Sequence, residues 1–164
     1  MTGLADRLLG LAPADLRAFF ADTPAVEITG LIRDTTDAEL RRLVADDGVR
    51  AEAVRAILDR FVEFADAERL ATITGVVCFD LARERGPHER HTVRIGDGAV
   101  DLVDPSTRPD VTVGAPILDF VRLVTGQSNA ALLYLSGRLG IDGHAMLALA
   151  VGSVFIVPGS DQAA

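Results

Sequence analysis

Lysine and tryptophan are both missing from these 164 residues, and cysteine occurs once. Without lysine, no phosphate-binding loop of the Gly-x-x-x-x-Gly-Lys kind can be written. With only seven phenylalanines and one tyrosine, the chain has few flat faces on which bases or sugars stack. The charge balance is −8, from 24 acidic residues against 16 cations, all arginine. An acidic chain poor in aromatics argues against nucleic acid as a partner. The lone Cys78 excludes an internal disulfide and leaves any zinc site to histidine and carboxylate ligands. A reducing, cytoplasmic location is expected. No basic stretch followed by a long apolar run opens the chain at Met1, so no secretory signal is expected. The longest uncharged stretch, Gly143 to Ser160, is interrupted by Gly152 and Pro158. Its roughly 14 apolar-rich positions are too few to cross a bilayer, which predicts a buried helix and no stable membrane insertion.

What is present is apolar bulk. At 49% apolar residues, a chain of this length buries roughly 70% of its unfolded surface, enough for one compact domain with a real core. The first seventy residues read as helices. Leu4 to Leu11 and Pro13 to Ala21 form two short pieces, the second with Pro13 in its favoured first turn. Thr36 with Glu39 three positions on is a capping box opening a helix that carries Leu40, Leu43 and Val44, and Asp46-Asp47-Gly48 is expected to end it. From Gly48 to Ala67, Val54, Ile57, Leu58, Phe61, Phe64 and Ala65 fall on one face, and Arg55, Asp59, Arg60, Glu63 and Asp66 on the other. After about Ala71 the period changes to alternation. Ile73, Val77, Phe79 and Leu81 share one strand face, with Thr74, Cys78 and Asp80 opposite. His91 to Ile95 continues the pattern, Gly96-Asp97-Gly98 turns it, and Ala99 to Val103 completes an antiparallel meander. Val111 to Val113 makes a fourth strand. A helix then carries Ile117, Phe120, Val121 and Val124 and stops at Gly126. Asn129 to Leu135 is a second short helix, Gly137 to Gly143 a glycine-punctuated strand, and an apolar helix begins near His144.

Reactive constellations are few. His88 and His91 bracket Glu89, but Gly86-Pro87 predicts a hairpin turn there, and residues three apart on an extended chain face opposite sides. This reads as a solvated turn, and no metal is expected. His144 at a helix start reads as a cap or a ligand contact. Cys78 lies mid-strand between Val77 and Phe79, where a buried, inert thiol is expected. No Gly-x-Ser-x-Gly elbow is present, and no catalytic residue or cofactor is assigned. The aliphatic side chains of the last fifty residues are more numerous than one face of a small sheet requires. They fit either a dense core or an apolar tunnel between sheet and helices.

Ser136-Gly137-Arg138-Leu139-Gly140-Ile141-Asp142-Gly143, followed at once by His144-Ala145-Met146-Leu147-Ala148-Leu149, resembles the strand and last helix of the sterol carrier protein type 2 family. Pro109 to Val113, and Asp119 to Gly126, are similar to that family's fourth strand and the helix after it. The resemblance covers about residues 72 to 157. Asparagine or aspartate is usual in the family where His144 stands, and a basic residue where Gly140 stands. The resemblance implies an α+β fold: a five-stranded mixed, mainly antiparallel sheet covered on one face by helices. To this is added a helical N-terminal segment over 1–70, like extensions in bacterial relatives, with the lipid-binding domain at 71–158 and a loose tail at 159–164.

It also implies noncovalent binding of a sterol, fatty acid, fatty acyl-CoA or phospholipid in an internal tunnel. Carried over by position, the wall comprises Val77 and Phe79, Val93 and Ile95, Phe120 and Val124, Leu133 and Ile141, and Met146, Leu149 and Ala150. Tyr134 and His144 are expected among the ligand-binding residues as well, His144 at a helix start that borders the cavity mouth. Burying sixteen carbons yields about 12 kcal/mol gross before ordering and association costs, so burial alone suffices for binding. Two other readings stand beside this one. The same cavity could serve a small cofactor-independent enzyme using His144, Tyr134 or Asp142, or the helix from Gly48 to Ala67 could dock another subunit, a homodimer included.

Overall fold

The computed structural model describes residues 3–154; the expected tail at 159–164 lies outside them. Six helices come first: α1 (Leu4–Leu8), α2 (Pro13–Asp22), α3 (Ala25–Arg33), α4 (Asp37–Ala45), α5 (Asp47–Asp59) and α6 (Ala67–Leu70), with a 3-10 turn at Phe61–Phe64 before the last. The sheet strands are β1 (Gly75–Ala82), β2 (Glu89–Gly96), β3 (Ala99–Val103), β4 (Val111–Pro116) and β5 (Gly140–Gly143). Between β4 and β5 lie α7 (Ile117–Val124) and α8 (Ala130–Leu135), and α9 (Ala145–Gly152) closes the described chain.

Side-chain caps set several helix starts. Thr36 accepts from the Glu39 N–H, as the capping box predicts, and Asn129 accepts from Ala131 and Leu132. Asp46 ends α4 as expected, but the break is a single residue. Its carboxylate caps the next helix through Val49 N–H at 2.9 Å, so Gly48 lies inside α5. The long amphipathic helix expected to reach Ala67 stops at Asp59. There Arg60 leaves helical geometry and its guanidinium donates to the carbonyls of Phe20 and Thr23 and to Glu63. Asp66 then caps α6 afresh. Helix α3, opened by Pro24, has no counterpart in the sequence reading.

The five strands form one mixed sheet in the order β3-β2-β1-β4-β5, with β1 and β4 parallel and the other pairs antiparallel. Helices pack on the face bearing Val77, Phe79, Leu81, Val93, Ile95, Val111 and Val113. Cys78 is buried in the opposite face, paired with Thr92 and Thr112. Two apolar cores result. One lies between sheet and helices and begins as early as Val54 in α5. The other joins α1 to α4. Helices α5 and α7 wall both: Ile57 and Leu58 face the sheet while Val49 faces the helical layer, and Phe120 and Val124 face the sheet while Val121 faces away. Full burial of each such side chain is worth about 1.5–3 kcal/mol, so the helical layer is bound to the sheet by two continuous seams.

Candidate functional site

Period-two alternation carries the expected wall residues of the strands inward. In register, Val93 lies beside Val77 and Val77 beside Val111, while Phe79 lies beside Val113 and Val113 beside Ile141. Val77, Phe79, Val93, Ile95, Phe120, Val124 and Leu133 are all buried in the sheet-side core. The Phe79 and Phe120 rings stand 5.4 Å apart at 52°, within the range of a favourable tilted pair. Ile141 and Ala150 are partly buried against this core.

The last helix is rotated from its expected phase. Met146 points outward, 71% exposed, and Leu147, Ala148 and Val151 take the inward positions. Met146 to Val151 is apolar on every side, so no polar face announces the phase. Leu149 is half-buried. Tyr134 is exposed together with Leu132 and Leu135 on α8. His144 caps α9: its Nδ1 accepts from Leu147 N–H at 3.1 Å, and its own N–H donates to the carbonyl of Asp110. With Nδ1 so engaged, that nitrogen is not offered to a ligand.

A polar rim, which the sequence reading did not assemble, closes the end of the core beneath β1 and β2. Arg50 of α5 is 4% exposed and donates to Glu89 at 2.6 Å, Asp47 at 2.7 Å and the Val44 carbonyl at 3.0 Å. Burial works against its charge, but the bonds to Glu89 and Asp47 outweigh this and hold the guanidinium above its ordinary range. Arg83 adds a second contact to Asp47. His91 does not sit in a solvated turn. It pairs with Phe79 on the covered face, 3.6 Å from Glu89, and its Nε2 is buried without a hydrogen-bond partner. The signal was available, since the alternation that turns Val93 and Ile95 inward turns His91 inward too. His88, in the preceding loop, meets Asp80 at 3.0 Å instead.

Arg138, in the glycine-rich segment, bonds Asp119 of α7 at 2.9 Å and ties the start of β5 to that helix. Among the described residues no group of three or more histidine, cysteine or acidic side chains is placed to hold a metal, and no helix is long and apolar enough to cross a membrane. An apolar cavity of about 50 Å³ lies on the far side of α5, between it and α1 to α4. None of the expected wall residues lines it.

Comparison with known proteins places this architecture. The SCP-2 sterol transfer family is matched over residues 54–155. Peroxisomal multifunctional enzyme A of Dictyostelium discoideum is 25% identical over 145 residues, covering 87% of this chain and 32% of its own length. The chain spans a third or less of the first three curated relatives it matches. Among solved structures, sterol carrier protein 2 from Yarrowia lipolytica in its apo form aligns with a TM-score of 0.50 and 22% identity, over 66% of this chain and 91% of that one. The sec-alkylsulfatase Pisa1 from Pseudomonas sp. aligns over 94% of this chain and 32% of its own, with a TM-score of 0.53 and 10% identity. The helical layer and the sheet thus recur together in one fold.

Proposed function

The chain belongs to the SCP-2 sterol transfer family, and from that premise we propose that it binds and carries an extended apolar molecule between its sheet and its C-terminal helices. The cargo is a fatty acyl chain, sterol or similar lipid, held without covalent chemistry. Its walls are Val77, Phe79, Val93, Ile95, Phe120, Val124, Leu133 and Ile141, and the helices α1 to α6 act as a cover.

The observation that carries this reading is the apolar edge of that core. Leu132, Leu135 and Met146 are 67%, 80% and 71% exposed, while Leu133, Leu147 and Ala148 beside them are buried in it. In a chain of net charge −8, residues 126–137 and 143–154 contain no acid and no arginine. Exposed apolar clusters of this kind mark binding or exchange surfaces. The two helices bearing them are only six and eight residues long, so a small outward movement of α8 and α9 separates the inward side chains and admits a hydrocarbon chain at the edge.

Titration with a fluorescent sixteen-carbon fatty acid tests the proposal. Uptake of about one molecule per chain is expected, with methyl chemical-shift changes centred on Val77, Val124 and Leu133. No uptake, together with an unperturbed interior, would refute it.

A further inference from the structure

The cavity behind α5 is not part of the carrier site proposed above, and its sequence cause is specific. The face that α5 turns to the helical layer reads Val49, Ala53, Ala56 and Arg60, at helical spacings of four, three and four. Two alanines stand where leucines would fill the space against Leu8, Ile28 and Leu43. Every lining residue other than Arg50 and Arg60 is apolar.

Both guanidinium groups are turned to partners outside that space. The donors of Arg50 go to Glu89, Asp47 and the Val44 carbonyl. Those of Arg60 go to Glu63 and the carbonyls of Phe20 and Thr23. A buried water needs two to four polar partners, and the surface of this cavity is apolar, so the cavity favours hydrocarbon. Its 50 Å³ holds about three water-sized bodies, enough for the end of a short chain and too little for a whole fatty acid.

The cavity and the protein surface share a wall. Phe20, Ala56 and Arg60 also line a surface cleft of about 510 Å³ between α2 and α5. The charged residues of the cleft are Arg17, Arg55 and Arg60 against Glu52, Asp59 and Glu63. They neutralise one another in pairs, Arg17 with Glu52 at 3.0 Å, Arg55 with Asp59 at 3.6 Å and Arg60 with Glu63 at 2.7 Å. An apolar recess lying directly behind a polar cleft of zero net charge matches a molecule with a short hydrocarbon tail and an uncharged, hydrogen-bonding head, the tail passing between Phe20 and Arg60 when α2 and α5 part. We propose that the helical layer contains a second binding site, for the alkyl end of such a small neutral amphiphile, entered between α2 and α5.

Titration of the whole chain with 1-hexanol, followed by NMR, tests this independently of fatty acid uptake. Saturable shifts at Phe20, Ala53 and Ala56 are expected. Ala56→Leu and Ala53→Leu, which fill the recess, are expected to weaken hexanol binding at least tenfold and to leave fatty acid uptake unchanged. Shifts confined to β1, α7 or α9, or no saturable shift anywhere in the unaltered protein, would overturn the proposal, as would filled variants that bind hexanol as before. A fatty acid result of either sign leaves this readout standing.

Discussion

Gly143 has φ +112°, and a methyl group on its Cα would lie 2.6 Å from the carbonyl oxygen of Asp110. Gly137, six residues earlier, has φ +78° with open space around the missing Cβ. The two glycines look alike in the sequence, yet only the first combines a left-handed backbone with a blocked approach to β4. Gly137→Ala should cost about 1 kcal/mol, the usual penalty of that conformation. Gly143→Ala should cost at least about 2 kcal/mol, because backbone must also move. Urea denaturation midpoints of the two variants give the comparison. At this scale the sequence was legible where a residue answers to its neighbours in the chain. Thr36 caps, Gly126 stops a helix at φ +77°, and His144 caps. It was illegible where the partner is remote: Arg50 finds Glu89, 39 positions away, and Arg138 finds Asp119.

The elements that alternate or carry one polar face were readable, and those that do not were misjudged. The first four strands stand where alternation and turn residues put them, and the fifth, expected from Gly137, begins at Gly140. α5 is shorter than its pattern because Arg60 is drawn to carbonyls at the end of α2, a contact no period records. α9 is uniformly apolar, so its existence was clear and its inward side was not. Its packing depends on Gly152, where a Cβ would come within 2.4 Å of the Ala130 Cβ on α8. Gly152→Val should therefore force α8 and α9 apart. In hydrogen exchange, amides of α8 are expected to lose protection while those of β1 and β2 keep theirs.

Across the whole molecule, the helical layer, the sheet and their ion pairs set the response to acid. Hydrogen bonding from Arg50, with the charges of Arg50 and Arg83, holds the Asp47 carboxyl below its ordinary 3.8. A hydrogen bond from Arg60 holds Glu63 below its ordinary 4.5, and Ser106 does the same for Asp104. Each folded value lies below the unfolded one, so each contributes stability that is complete above its ordinary value and lost as pH falls through the lowered one. Thermal midpoints should be insensitive to these groups above about pH 5 and fall progressively below about pH 4. The contribution should shrink with added salt, because these carboxylates are largely exposed.

The parallel pairing of β1 with β4 fixes an order of events during synthesis. β2 and β3 follow β1 closely and can zip onto it as hairpins, but the other edge of β1 waits for residues 111–116, some thirty positions later. Until the ribosome has released them, the middle strand of the finished sheet is an open border. The nascent chain therefore passes through a stage at which Val77 and Phe79 stand unguarded against a neighbour's strand, a hazard that vanishes once β4 slots in.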